Sequence, residues 1–405
     1  MFSHKSALAA ALAVSTVIPA AAFADDGVPG DILVDIRYRT ETVEQDGKED
    51  AELGSVRTQI GWRSPEWNGL TFLAEVENMT VINDGGYNSG LNGLSQYAKI
   101  GDAEFTELNR FQLGWQVNEN FQIVAGRQYL NFDQKRFFGS AGSRQDKKEH
   151  DAIMFDYRDG PLRATYVFHE SVNGGPGDRG VYAGNNHMFR AQYGFHELLN
   201  VTAFAYFIDL DASRANRSNQ TFGGWVRGAH SFGDTDVSYE AMLARQVDFG
   251  DNPVDYSLFY WASDLKASHG PFNFNLGYDV IEGDGSNRIL NPLGTNHGTL
   301  GWADVFTGSA RQGTDVGLVD LHMQGSFETD VDWGAINGVE VGVRRHDFSA
   351  EQGDADLGDE WDAWVAVALP WNLELSWEFA DFDGTASPFS PASRTKHWFI
   401  LSYSR

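Results

Sequence analysis

The sequence predicts an all-β protein, a transmembrane antiparallel β-barrel of about eighteen strands with short periplasmic turns and long extracellular loops. Three observations predict this fold: apolar and polar residues alternate with a period of two, short and long connections alternate along the chain, and the composition favours strands. Of the 405 residues, 44 are glycine and 13% are aromatic. That composition weakens helices and coiled coils, whereas aromatic side chains suit the surface of a sheet.

The amino terminus has the pattern of a signal peptide. Lys5 supplies a positive charge, an apolar stretch rich in alanine follows over 7–18, and Ala22 and Ala24 are the small residues that a signal peptidase reads. The apolar stretch is shorter than the roughly 20 residues that a transmembrane helix needs. We therefore predict a cleaved signal peptide over 1–24, a single outer-membrane barrel domain over 25–405, and a location in the outer membrane of a Gram-negative bacterium.

The β segments follow one another along the chain, and each has an apolar face and a polar face. In the first segment, Ile32, Val34, Ile36 and Tyr38 form the apolar face. The same alternation recurs at 56–62, 111–115, 162–168, 272–278, 339–343 and 373–379. In a barrel, each apolar face meets lipid and each polar face meets a water-filled lumen, and closure leaves no unpaired edge. A soluble β-sandwich that binds glycans is the main alternative outside the membrane.

The connections between these segments alternate in length. Tight turns lie at 64–68, 118–120, 159–161 and 370–372, and longer connections rich in glycine, asparagine and aspartate lie near 42–52, 81–106, 131–150, 172–186, 210–219, 282–316 and 383–394. Tight turns on one side of the membrane and long loops on the other are typical of transmembrane barrels. Trp62, Trp67, Trp371 and Trp398 are expected beside the short turns, as members of an aromatic girdle.

The charge of the chain is negative overall and positive in one segment. The formal net charge is −27, which excludes nucleic acid as a partner because phosphate binding needs a basic face. The segment 127–148 nevertheless contains six cations and two acids, a balance of +4. If this loop folds inward, its cations lie at a pore constriction, where a low-dielectric wall strengthens their field.

Several strand arginines alternate with the apolar residues of their strands, so they lie on the polar face and are expected to line the lumen. Facing lipid, each would cost about 2–4 kcal/mol at the midplane of the bilayer. In the lumen, each is expected to pair with a carboxylate such as Glu75 or Glu77. The predicted lumen-wall residues are Arg37, Arg57, Arg110, Arg190 and Arg344.

Motifs for enzyme chemistry are missing from the sequence. With no cysteine there is no thiolate nucleophile or thiolate metal ligand. The run 196–200 begins like a zinc-protease motif but lacks the second histidine, and the glycine-rich run 174–177 lacks the lysine of a phosphate-binding loop. A barrel hydrolase would need a Ser/His pair, and nothing selects one. The sequence therefore predicts a protein that is not an enzyme and has no cofactor and no metal site.

Two blocks of sequence resemble the alginate-export family of outer-membrane porins. The first is GRQYLNFDQKRF at 126–137, with TELN at 106–109 before it, and Arg144-Gln145 and Asp151-Ala152 after it. The second comprises LGTNH at 293–297, GWAD at 301–304 and GLVDL at 317–321. The resemblance implies a monomeric barrel of eighteen strands in which an arginine- and lysine-lined constriction passes an anionic polyuronate.

Carried over by position, the constriction residues are Arg127, Arg136 and Arg144, with Lys135 beside them. Guanidinium groups bind carboxylates in a bidentate manner, and a row of weak sites lets a polymer slide. Arg127 shares its parity with Phe121 and Ile123 on the apolar face. Either a bulge precedes it, or it lies above the membrane.

The function expected from these observations is a channel for passive passage of solutes, with anionic sugars or alginate-like oligo- and polyuronates as candidates. Its selectivity would be set by loops 131–150 and 282–316, folded over the lumen. The expected partners are outer-membrane lipid, lipopolysaccharide, a carbohydrate solute and the barrel-assembly machinery. A general or cation-preferring porin, and a closed barrel that acts as an adhesin or receptor, are the alternatives.

Overall fold

The computed structural model describes residues 29–175, 180–295, 297–308 and 310–405, and the predicted signal peptide lies outside them. Within these ranges the chain forms one sheet of 18 strands. The strands are β1 (Asp31–Gln45), β2 (Ala51–Arg63), β3 (Leu70–Asp84), β4 (Phe105–Asn118), β5 (Phe121–Gln128), β6 (Glu149–Asp159), β7 (Leu162–Asn173), β8 (Val181–His196), β9 (Leu199–Ile208), β10 (Asn219–Phe232), β11 (Thr235–Asp248), β12 (Ser257–His269), β13 (Phe272–Ile281), β14 (Leu318–Asp330), β15 (Gly338–Ser349), β16 (Asp356–Leu369), β17 (Leu373–Asp383) and β18 (Arg394–Ser404).

The sheet closes into a barrel. Each strand pairs with the next in antiparallel register, and β1 pairs with β18 from Asp35 opposite Ser404 to Gln45 opposite Arg394. Closure satisfies the backbone hydrogen bonds of both outer strands, so no edge stays open. The predicted fold class is thereby confirmed, including the number of strands. None of the described residues forms a helix that is long and apolar enough to span a bilayer.

The two ends of the barrel differ in the length of their connections. At one end, two-residue turns join consecutive strands at 119–120, 160–161, 197–198, 233–234 and 270–271. At the other end lie the long loops, of which we name three: L2 (85–104), L3 (129–148) and L7 (282–317). This arrangement confirms the alternation of short and long connections that the sequence predicted.

The strands separate their apolar and polar residues onto the two faces of the wall. On β13, the predicted apolar residues Phe272, Phe274, Leu276 and Tyr278 are 44–60% exposed on the outer surface. Asp279, which directly follows Tyr278, is fully buried on the inner side. An outer band of exposed aromatic and aliphatic side chains is the surface that lipid tails solvate.

L3 and L7 fold into the lumen and build an apolar core there. Phe137 and Phe138 of L3, together with Leu293 of L7, are buried against inward-facing wall residues such as Tyr260 and Phe348. Short hairpins stiffen both loops: Asn131–Phe132 pairs with Phe138–Gly139 in L3, and Thr307–Gly308 pairs with Arg311–Gln312 in L7. The barrel is therefore partly filled by its own loops.

One of the four predicted girdle tryptophans is in a different place. Trp67 and Trp371 lie in short turns and are 70% and 78% exposed, and Trp62 lies near the same end of β2. Trp398 is 4% exposed and contacts the ring of His297 in L7, so it faces the lumen. The prediction for Trp398 was wrong because it placed this residue beside a short turn, whereas Trp398 lies at the long-loop end of β18 with the inward parity of that strand.

Candidate functional site

The candidate site is a cavity of about 460 Å³ inside the barrel, at the end that carries the long loops. L2, L3 and L7 supply most of its lining, and β1, β17 and β18 supply the wall behind them. Two aromatic side chains, Tyr182 and Trp398, also line it. We call this space the basic cavity, because cations outnumber acids among its lining residues.

Among the residues that the structure describes, six cations and four acids line the basic cavity. The cations are Arg39, Lys99, Arg144, Lys148, Arg394 and Lys396, and the acids are Glu41, Asp102, Asp304 and Glu378. They come from opposite ends of the chain and from three loops, and closure of the barrel brings them together. Because the cations are in excess and the wall has a low dielectric, the cavity favours an anion.

Asp102 of L2 connects two of the arginines. Arg39 of β1 forms an ion pair with Asp102, places an Nη atom 2.9 Å from Glu41, and donates to the carbonyl of Ser143 at 2.6 Å. The Nε of Arg144 lies 3.6 Å from the other carboxylate oxygen of Asp102. Burial alone would raise the pKa of Asp102, but Arg39 and Arg144 outweigh that effect, and the pKa is lowered.

Two lysines of the cavity, Lys99 and Lys148, are less well compensated than Arg39. Lys148 donates to the carbonyl of Gly294, and burial, together with the nearby Arg144, lowers the pKa of Lys148 to about 8. Burial also lowers the pKa of Lys99, and Arg144 and Arg394 add to the effect. A bound anion would relieve this repulsion and restore the ordinary charge of both lysines.

Asp304 holds L7 against the strand end. Its carboxylate lies 3.0 Å from Nδ1 of His297 and accepts from Nζ of Lys396 at 2.9 Å, while Arg394 donates to the carbonyl of Ala303 at 2.8 Å. Its φ of 58° is a left-handed conformation, which aspartate tolerates better than most residues. Burial alone would raise the pKa of Asp304. The opposing effect of His297 and Lys396 is larger, so the pKa of Asp304 is lowered below the usual range of an aspartate.

The predicted constriction residues of L3 separate into different roles. Arg144 lines the basic cavity with a side chain that is 36% exposed. Arg136 is 1% exposed, and its Nη1 lies 2.5 Å from Asp279 and also donates to the hydroxyl of Tyr260. It therefore fastens L3 to the wall. Lys135 is exposed, and its carbonyl accepts from the backbone of Thr295 in L7.

Arg127 lies outside the lumen. It pairs across the sheet with Phe111, which is 49% exposed on the outer face, and its guanidinium binds Asp151 with two hydrogen bonds of 2.9 and 2.8 Å. Just before it, Gly126 has a φ of 114°, where a Cβ would collide with the carbonyl of Phe111. The constriction position taken from the family resemblance is therefore corrected: Arg127 follows the parity of the outer face.

The five predicted lumen-wall arginines face inward, and four of them contact loops. Arg37 donates to Gln145 at 2.8 Å, Arg190 to Asp133 at 3.0 Å, and Arg344 to the carbonyl of Gly298 at 3.2 Å, while Arg110 lies over the ring of Tyr129. Arg110 also pairs with Glu75, as the sequence predicted, and Arg57 pairs with Asp35 at 2.5 Å. The wall arginines thus anchor L3 and L7.

Sequence reasoning missed four cations of the basic cavity: Arg39, Lys99, Arg394 and Lys396. Arg39 was recognisable, because it shares the inward parity of Arg37 on β1. Lys396 shares the inward parity of Trp398 and Ile400, both buried on β18. Lys99 lies in a long loop, where alternation gives no information about direction.

Another part of the lumen wall is acidic. Asp264, Asp279, Asp320, Glu360 and Asp362 lie on the inner face of β12, β13, β14 and β16, and all are less than 9% exposed. Histidines lie among these acids, and Nδ1 of His346 is 2.9 Å from both oxygens of Asp320. The lumen therefore has a basic side at β1, β2 and β18 and an acidic side at β12–β16.

No family model and no curated protein matches the chain. Solved structures match over most of its length. The crystal structure of Pseudomonas aeruginosa OpdK with vanillate has a TM-score of 0.70 at 13% identity, over 94% of this chain and 100% of that chain. Pseudomonas aeruginosa OccK9 (OpdG) has a TM-score of 0.69 at 16% identity, over 92% and 97%. Acinetobacter baumannii OccAB4 has a TM-score of 0.70 at 11% identity, over 93% and 98%.

At these identities the similarity concerns the fold. The closed antiparallel barrel of 18 strands matches the Occ/Opd outer-membrane porin structures.

Proposed function

We propose that the protein is an outer-membrane channel that passes small organic anions, and that the basic cavity selects them. The observation that carries this proposal is the excess of cations among the residues that line the cavity. A constriction lined by one sign of charge raises the local concentration of the opposite ion and speeds its entry. Outer-membrane lipid and lipopolysaccharide as surroundings, the barrel-assembly machinery as a partner, and a monomeric state all belong to this proposal.

Carboxylates are the anions that we propose as solutes. Arg144 and Lys99 present donors into the cavity, and a guanidinium can hold a carboxylate with two parallel hydrogen bonds. The aromatic rings of Tyr182 and Trp398 add an apolar surface for a sugar ring or an aromatic ring. A cavity of about 460 Å³ has room for a single uronate or an aromatic acid such as vanillate, the molecule present in the OpdK structure.

Transport of alginate-like oligo- or polyuronates is the narrower form of the proposal. It is supported by the blocks of sequence near 106–152 and 293–321 that resemble the alginate-export family. A polymer would have to pass the interior core that L3 and L7 form, so its passage requires movement of at least one of these loops. Conduction of monomers without conduction of oligomers would therefore reject the narrower form and keep the broader one.

The test is single-channel current across a planar bilayer that contains the purified full chain. Under a salt gradient we expect a reversal potential that indicates preference for anions. Glucuronate, vanillate and an oligouronate are then added in turn to one side, and we expect block that increases with concentration. In the double variant Lys99→Gln/Arg144→Gln, the blocking concentration should rise about tenfold or more, since each charge-assisted contact contributes about 1.5–3 kcal/mol.

The matched control removes two cations elsewhere. Lys48 and Arg63 are exposed and lie outside the basic cavity, so the variant Lys48→Gln/Arg63→Gln should keep the anion preference and the block. Preference for cations without block would overturn the proposal and indicate a general or cation-preferring porin. Absence of conductance would favour a closed barrel that serves as an adhesin or receptor.

A further inference from the structure

Three carboxylates meet at the base of L3, and none of them is among the residues that line the basic cavity. They belong to Glu107 of β4, Asp146 of L3 and Glu149, the first residue of β6. One oxygen from each lies within 4.8 Å of an oxygen from each of the others. Asp146 and Glu149 are 2% and 1% exposed, so the cluster is an interior one and not a patch of solvated surface charge.

The oxygens of this cluster have almost no partners. Among the described residues, nothing donates a hydrogen bond to either oxygen of Asp146, to either oxygen of Glu149, or to Oε1 of Glu107. The exception is Oε2 of Glu107, which accepts from the amide of Asn173 at 2.7 Å. A buried carboxylate without a partner costs several kcal/mol, and here two such groups lie side by side.

The cations nearby in sequence do not compensate the cluster, because they are turned elsewhere. Nζ of Lys147 lies 3.3 Å from Gln59 and over the ring of Tyr129, Lys148 donates to Gly294, and Arg144 pairs with Asp102. Arg127, beyond the wall, is held by Asp151. A segment with six cations therefore leaves the buried Asp146 without a hydrogen-bond partner, which indicates that another positive charge belongs at this place.

We propose that Glu107, Asp146 and Glu149 bind a calcium ion that fixes L3 to the barrel wall. All three donors are carboxylate oxygens, which select a hard cation over zinc or copper. Calcium binds oxygens at 2.3–2.6 Å, so two ligands on opposite sides of the ion lie about 4.6–5.2 Å apart, and the observed cluster fits that spacing. Water reaching the cluster past the partly exposed Glu107 would complete the coordination shell.

The site has a clear structural consequence. Asp146 lies two residues from Arg144, and Glu149 directly follows Lys148, so the ion would hold the segment that presents both cations to the basic cavity. The inference does not depend on the proposed solute, since calcium binding is measured without any transport.

The experiment uses the full chain refolded in detergent without lipopolysaccharide and stripped with a chelator. Calcium chloride alone is titrated in a calorimeter, and the thermal midpoint is followed by tryptophan fluorescence. We expect one saturable site and a midpoint that rises with calcium concentration. The double variant Asp146→Asn/Glu149→Gln should lose both responses. In the presence of chelator it should be at least as stable as the unaltered protein, because the uncompensated charges are gone.

The control variant is Asp354→Asn, which removes an acid from the exposed, aspartate-rich segment 354–359. It should keep the full calcium response. Two results would overturn the inference: a thermal midpoint of the unaltered protein that is insensitive to both calcium and chelator, or a calcium response that persists in the double variant. The first result would mean that protons, and not a metal ion, neutralise the buried carboxylates, and the second would mean that calcium binds at another place.

Discussion

Single residues in this barrel take their roles from partners that are far away in sequence. Arg136 and Asp279 are separated by 143 positions and form a pair in which both side chains are almost completely buried. Alternation predicted that Asp279 faces inward, and the local excess of cations singled out Arg136. Neither observation could predict that Arg136 pairs with Asp279, because this pairing depends on how far L3 enters the lumen.

The first prediction concerns this pair. Arg136→Met should lower the free energy of unfolding by about 3–5 kcal/mol, because Asp279 is left buried without a partner. Arg136→Met combined with Asp279→Asn should recover most of that loss, since the uncompensated charge is removed as well. Urea unfolding of the refolded barrel in lipid vesicles measures both variants. A double variant no more stable than the single one would show that the charge pair is not the cause.

The second prediction concerns Arg127. Because it lies on the outer face and pairs with Asp151, Arg127→Gln should leave anion preference and block by carboxylates unchanged. Both side chains are about one quarter to one third exposed, so the loss of stability should be about 1 kcal/mol or less. Reversal potentials recorded beside those of Lys99→Gln/Arg144→Gln test this. An equal loss of selectivity in both variants would contradict this prediction and would indicate that Arg127 acts in the pore.

At the scale of the element, strands and loops differ in how far they were predictable. The outward residues of β13 were predicted correctly, since a period of two fixes the face of every residue once the strand is recognised. The position of a loop has no comparable rule. L7 enters the lumen because Leu293, Leu300 and Phe306 find apolar partners there, and those partners come from strands dispersed along the chain.

The third prediction concerns the hold of Asp304 on L7. Asp304→Asn keeps the shape of the side chain but removes the charge that binds Lys396 and His297, so L7 should open more often. In the unaltered protein the pKa of Asp304 is lowered, so its carboxylate stays charged as the pH falls from 7 to 4, and the hold should be lost only below the ordinary aspartate range near 3.9.

Open-channel current noise between pH 7 and pH 4 measures this opening. The unaltered protein should stay quiet over the whole interval, and Asp304→Asn should be noisy throughout it. Asp251→Asn removes an exposed acid from another loop of the same end and should behave as the unaltered protein does. A noisy record of the unaltered protein at pH 5 would contradict the lowered pKa.

At the scale of the whole molecule, a strongly acidic chain surrounds a cavity with an excess of cations. The net charge of −27 alone would favour cations, but inward-facing acids of β12–β16 such as Asp320 and Glu360 are not among the residues that line the basic cavity. Composition reports only the sum of the charges, whereas selectivity depends on which charges share a cross-section of the lumen. The sequence could therefore predict the barrel and its architecture but not the division of its interior into two sides.

Closure of the barrel at β1 and β18 also limits the order of folding. The pairing of Gln45 with Arg394 joins residues 349 positions apart, and the side chain of Arg394 also donates a hydrogen bond to the side-chain oxygen of Gln45. The loop entropy of such a contact is lost only when the last strand arrives, so all seventeen hairpin pairings can form before the seam does. Until then both terminal strands expose unpaired backbone groups. The last step of biogenesis is therefore a ring closure, and mutations along this seam should slow assembly more than mutations at any two-residue turn.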